Sequence, residues 1–242
     1  MKPFKSVFIL TAILVTTFAY SAEYRTADMI LKEYGLFKPD MSAQDYNVAG
    51  FLIYQKKNYE DASTVFYEAI EKDDNHVLAH YNYACTLSLM YKTDREKVTP
   101  AEIFHHLYTS ISLDKSRRQK ALKDSDFDPV RSMMDFKVVT ADPDKPIIEE
   151  VRLKYKGVGA VEYDLSVYFE DSNGNPYSFS DNEGVFSKAG LYSSKVNEAG
   201  FPEYSENDSK VGNYYDVTFK WDMAGNGWSG MVHATRVVIL IV

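Results

Sequence analysis

The spacing of apolar residues changes once along the 242-residue chain, and that change limits the folds open to it. Before residue 138 apolar side chains recur at three- and four-residue steps and proline is sparse; after residue 146 they alternate in short runs broken by Gly, Asn and Asp. A period near 3.6 lays one stripe on a helix, whereas a period of two lays one face on a strand. The stretch between them, VVTADPDKP at 138–146, reads as a linker. The chain is therefore expected to be α+β, with a helical domain over 23–137 and an all-β domain over 147–242.

Residues 1–22 stand apart from both. Lys2 and Lys5 precede an apolar stretch over 6–19, and Ala19, Ser21 and Ala22 supply small residues where a signal peptidase needs them. That stretch is 14 residues long, short of the roughly 20 that a spanning helix needs. A cleavable signal cut near Ala22 is expected, with the mature chain periplasmic or secreted and without a membrane span. No Cys lies at the boundary to take a lipid. Loss of the two lysines moves the net charge from −8 to −10, divided as −3 over 23–137 and −7 over 138–242. Such acidity opposes a nucleic-acid partner, because phosphate binding relies on clustered Lys and Arg. A single cysteine, Cys85, excludes an internal disulfide and a multi-cysteine metal site.

In the helical half, 46–75 reads YNVAGFLIYQKKNYEDASTVFYEAIEKDDN. Tyr46, Ala49, Gly50 and Ile53 share one helix face, as do Ala62, Phe66, Ala69 and Ile70, with a polar turn between the two sets. This hairpin resembles the tetratricopeptide repeat, whose signature combines a large ring, a small pair ending in Gly, a Tyr-like residue and later Ala, Phe and Ala. Gly50 and Ala62 are expected to let the helices cross closely, with Phe66 filling the crossing. One 34-residue period on, HYNYACTLSLMYK restarts at His80 with Tyr83 and Ala84 in the places of Ala49 and Gly50. Its second helix is displaced by KTDREKVTP and resumes at Ala101; a helix over 116–123 and the acidic DSDFDPVR turn look like the closing segment of secreted bacterial arrays of this type. A leading helix is expected over 26–37.

The resemblance implies protein binding through a groove lined by first helices. The residues expected to face it are Asn47, Phe51, Tyr54 and Gln55, then Tyr81, Asn82 and Cys85. None is basic, so a clamp for a peptide carboxylate is not expected, and apolar, aromatic and amide contacts to a protein or peptide partner are. The chain's own β domain or leading helix is the competing occupant of that groove.

The β half offers five strands, over 147–156, 163–170, 177–180, 215–221 and 230–242, with a short helix at 189–198 in the long connection 181–212. Three strands, a connection and two strands is the order of an OB-like barrel, and a β-sandwich is the alternative. The apolar run VVILIV at the end reads as a strand buried on both faces.

Other motifs carry less. His76 and His80 are four apart, but no Glu follows His76 as in HExxH, and adjacent His105 and His106 point to different faces. DSNGN at 171–175 lacks the Gly and closing Glu of a calcium loop and reads as a hairpin turn. Cys85 reads as a buried small residue, and Asn207, Asp208 and Ser209 form a formal glycosylation acceptor. With no GxSxG and no phosphate-cradling loop, neither an enzyme nor a metal or other cofactor is expected. The alternative to a docking protein is a small-ligand or envelope-component binder with its site in the β domain.

Overall fold

A computed structural model describes residues 25–161, 164–181, 183–225 and 232–241. The signal-like segment 1–22 lies outside the described residues. The chain is α+β, with its helices N-terminal and a curled antiparallel sheet, a half-barrel, C-terminal.

Each long helix begins where a side chain caps its first turn. Thr26 caps α1 (Ala27–Glu33), Ser42 and Asp45 form a reciprocal capping box on α2 (Ala43–Gln55), and Asn58 caps α3 (Tyr59–Lys72). His76 caps α4 (Val77–Thr93) through its ring, and Thr99 caps α5 (Pro100–Leu113), whose Pro100 occupies a first-turn position that needs no N–H donor. Then follow α6 (Ser116–Ala121), a 3-10 turn (Ser125–Phe127) and α7 (Met134–Val139).

The two hairpins, α2 with α3 and α4 with α5, pack side by side. A Cβ placed on Gly50 would lie 2.8 Å from the Phe66 ring, so only glycine fits this crossing. Ala62, Val65, Phe66, Tyr81, Ala84, Ile103, Phe104 and Leu107 complete the buried core, and α1 closes one end with Ile30 and Leu31. The other end is covered by Phe127 and Val130 of the closing segment, both fully buried. Without that segment this apolar face would be open to water.

The sheet has the order β3-β2-β1-β6-β7, all neighbours antiparallel, with β1 (Ile148–Val161), β2 (Asp164–Glu170), β3 (Pro176–Ser180), β6 (Tyr214–Gly225) and β7 (Val232–Ile241). Alternate residues Leu153 and Tyr155, Val167 and Phe169, and Val217 and Phe219 face one core with Phe179. A bulge at Tyr155/Gly157, where Gly157 takes φ 134°, and another at Thr218/Phe219 bend the sheet.

Two expectations for this half fail. Among the described residues the connection holds a helix only at α8 (Val185–Lys188), because Asp181 accepts the N–H groups of Val185, Phe186 and Ser187 and so starts it early. Gly190 at φ 74° stops it, and the expected helical residues form strand β4 (Tyr192–Val196), paired with β5 (Pro202–Glu206) in a separate ribbon. The second failure is the doubly buried terminal strand. Among the described residues β7 is an edge strand paired with β6, and Val237 is 37% exposed.

The stretch read as a linker starts inside α7, and Val139 and Thr140 are buried. Asp135 of α7 accepts the N–H of Ala234 in β7 at 2.7 Å, and Val232 and Met223 pack into the helical core. The helical half and the sheet therefore share an interface.

Candidate functional site

Five of the seven residues expected in the groove converge. Phe51 and Tyr54 of α2 and Tyr81, Asn82 and Cys85 of α4 line a recess of about 110 Å³, with Phe66 at its floor. Helical spacing explains this, since 51 and 54, and 81, 82 and 85, fall on the facing sides of neighbouring first helices. The other two depart from expectation. Asn47 is buried and its side-chain carbonyl accepts from Asn82 Nδ2 at 2.9 Å, so it joins α2 to α4 rather than facing an open groove. Gln55 is exposed and takes no part in the lining, because it sits one residue beyond the turn that Tyr54 occupies.

The remaining wall comes from the closing segment: Lys120 of α6, with Asp124 and Asp126 around the 3-10 turn. Among the described residues, none from the β domain or the leading helix lines the recess. Ser88 of α4 donates to the Asp126 carbonyl at 2.7 Å, which pins the turn over the first helices. Tyr81 then donates to Asp124 at 2.9 Å and Tyr54 to Asp126 at 2.5 Å. Tyr81 is consequently 1% exposed, whereas Phe51 remains 43% exposed at the mouth. The sequence signal for these acids is the DSDFD run itself, which places Asp124 and Asp126 two apart across one tight turn.

Burial pushes the hydroxyls of Tyr54 and Tyr81 far above their ordinary range, helped by the carboxylates they face. Burial also raises the Cys85 thiol, and the adjacent Asp124 and Asp126 charges raise it further. A thiol held protonated is a poor nucleophile. Burial raises Asp126 too, opposed by the Tyr54 hydrogen bond. Ligand atoms of Cys85, Asp124 and Asp126 lie within 4.8 Å of one another, but each carboxylate already accepts a tyrosine hydroxyl.

No protein-family model, curated protein or solved structure matches the chain. The geometry of the recess therefore carries the functional argument.

Two chemical features distinguish it. Among the described residues neither Asp124 nor Asp126 has an ion-pair partner, while aromatic rings stand beside them; the Lys120 ammonium sits 4.7 Å from the Tyr81 ring centre. Carboxylates beside ring faces favour a cation. Outside the mouth, Val48, Phe51 and Leu52 are 48%, 43% and 41% exposed and lie at three- and four-residue steps on α2. α2 thus has an apolar face toward the core and another toward solvent.

The histidines are used otherwise. His76 Nδ1 accepts from the Ala79 N–H and its Nε2 faces Gln44, while His80 Nε2 faces the Asp74 carbonyl and its Nδ1 meets His106. The first pair therefore does not converge. Asp171 accepts two backbone N–H groups and the Asn175 amide, each at 2.8 Å, which makes DSNGN a hairpin turn.

Proposed function

We propose that this is a non-catalytic, secreted or periplasmic adaptor whose helical half docks a partner-protein segment carrying an apolar ridge and a basic side chain. One observation carries the reading: at Phe51 an exposed apolar helix face meets a recess that combines ring faces with two carboxylates lacking an ion-pair partner among the described residues. Contiguous exposed apolar residues favour an interaction surface. The overall charge of −8 favours a basic partner and steers its approach.

The chain itself illustrates the chemistry that the recess prefers. Lys120 lies over the Tyr81 ring, with the Arg117 guanidinium 5.9 Å from the same ring centre. A partner's Lys or Arg competes with this internal cation for the same rings and carboxylates. Binding rather than catalysis is favoured by the protonated Cys85 thiol and by tyrosine hydroxyls committed to carboxylates.

Helices α2–α5 are read as a short tetratricopeptide-like array, supported by the 34-residue interval between Tyr46 and His80 and by the Gly50–Phe66 crossing. The sheet is read as OB-like, supported by its strand order and by the approach of its edge strands β3 and β7. Export is supported by Lys2, Lys5 and the apolar run that follows.

Selection of short random peptides against the full mature chain tests the function. Enrichment of Lys or Arg beside large apolar residues is expected, and its loss with Phe51→Ser/Leu52→Ser. Enrichment of acidic peptides, or selection indifferent to Phe51 and Leu52, contradicts the proposal.

A further inference from the structure

We propose that the cleft between the helical half and the sheet binds a small amphipathic carboxylate. This site is separate from the recess at Phe51. It is a cavity of about 400 Å³ formed by the ends of α5 and α7, by α6 and by β6, within the range of small-molecule sites, roughly 300–1,000 Å³.

Two orphaned donors point to the ligand. Arg118 Nε from α6 and Trp221 Nε1 from β6 are both shielded from solvent and have no hydrogen-bond acceptor among the described residues. Both residues line this one cleft, one from each half of the molecule. Buried N–H groups without an acceptor are uncommon in folded proteins, so a pair on two residues that border one cleft calls for an acceptor-rich group beside them. A carboxylate offers two oxygens and matches a guanidinium by charge as well as by hydrogen bonding.

The charges on the wall agree. Lys220 is paired with Asp222 at 3.2 Å, and Asp142 accepts the N–H of Asp144. Arg118 and Lys115 have no ion-pair partner among the described residues. Counting Lys115, Arg118 and Lys220 against Asp142 and Asp222 gives a wall of +1 on a chain of −8. Arg236, on the strand beside Trp221, stacks its guanidinium 5.1 Å from the indole centre, which holds the ring and adds positive potential behind it.

Apart from Ser112 and the Tyr108 hydroxyl, the rest of the wall is apolar. Ile111 and Val139 are buried, and Pro143 and Pro146 line the cleft with them. A short hydrocarbon stem lies against them while its carboxylate meets Arg118 and Trp221. An amphipathic amine would face Lys115 and Arg118 with like charge, and an alcohol would leave the guanidinium without a counter-ion. The carboxylate has two possible sources, a free acyl chain or the C-terminus of a peptide.

The test uses the full mature chain with Trp228→Phe, which leaves Trp221 as the sole indole. Octanoate, 1-octanol, octylammonium and N-acetyl-leucine are titrated while Trp221 fluorescence is followed, with calorimetry on the unsubstituted chain as a second readout. Octanoate or N-acetyl-leucine is expected to bind saturably, and the tighter of the two identifies an acyl or a peptide-terminus source. Arg118→Gln is expected to weaken binding about tenfold or more, equivalent to losing one charge-assisted pair. Trp221→Phe, followed by calorimetry, keeps the ring and is expected to weaken it several-fold, with melting temperatures unchanged. Octanol binding as tightly as octanoate, equal octanoate affinity in Arg118→Gln, or no saturable binding of either carboxylate by about 10 mM overturns the proposal.

Discussion

The Nδ1 atoms of His80 and His106 lie 2.8 Å apart, so one of them must carry a hydrogen and the other must not. His80 uses Nε2 to donate to the Asp74 carbonyl, which leaves its Nδ1 as the acceptor and makes His106 Nδ1–H the donor. Protonation of both rings would place two hydrogens in one short contact. Burial holds His106 down to about 3, assisted by the neighbouring His105 and His80 rings, and lowers His80 as well. The unfolded chain, with histidine near 6.5, binds the extra proton between those values, so stability falls as pH drops from about 6.5 toward 3. At pH 5 His106 alone is expected to account for a loss of about 2 kcal/mol relative to pH 7. Urea titrations at both pH values check this; His106→Phe should flatten the difference, and an unchanged pH dependence in that variant would contradict it.

Gly50 and Phe66 give a packing prediction. Alanine is the better helix former by about 1 kcal/mol, yet a Cβ at position 50 would lie 2.8 Å and 2.9 Å from two atoms of the Phe66 ring. Overpacking of this kind costs about 1–3 kcal/mol. Gly50→Ala is expected to lower the unfolding free energy, and Phe66→Leu in the same chain to recover part of the loss. Stabilisation by Gly50→Ala alone would show that the two first-hairpin helices are not this close.

The closing segment is held by hydroxyls. Tyr81→Phe removes the donor to Asp124 without opening a cavity and is expected to cost about 1.5–3 kcal/mol, the range for a hydrogen bond to a charged group. Protease cleavage near 122–126 should rise in parallel. No change in either measurement would mean that the turn is held without the Tyr81 bond.

Lys120 is the internal competitor for the recess. Its ammonium stands over Tyr81, and its removal in Lys120→Met leaves Asp124 and Asp126 to an incoming cation. A selected basic peptide is expected to bind Lys120→Met about threefold to tenfold more tightly, with a steeper salt dependence. Weaker binding to that variant in calorimetry would assign Lys120 to holding the recess rather than competing for it.

The parts of this molecule that follow from local rules were legible in the sequence. The small residues Gly50 and Ala62 mark a helix crossing, because each acts between adjacent helices. The alternation Val167, Phe169 and Val217, Phe219 likewise marks strand faces. What escaped depends on distant partners. Asp181 starts α8 early by accepting three N–H groups, and the sequence pattern of 189–198 gives no sign that Tyr192 will pair with Glu206. Five groove residues were placed together by spacing, but the acids that complete the recess arrive from 38 or more positions away, carried there by the Ser88 bond to Asp126. Asn47 was misplaced for a related reason, since its amide partner Asn82 is 35 residues distant.

The docking account stands or falls on the solvent face of α2. The most direct measurement is the calorimetric affinity of a selected basic, apolar peptide for the mature chain and for Phe51→Ser/Leu52→Ser, two exposed positions whose exchange leaves the helical core intact. The account predicts a loss of about tenfold or more with an unchanged melting temperature; equal affinity for the two proteins would contradict it.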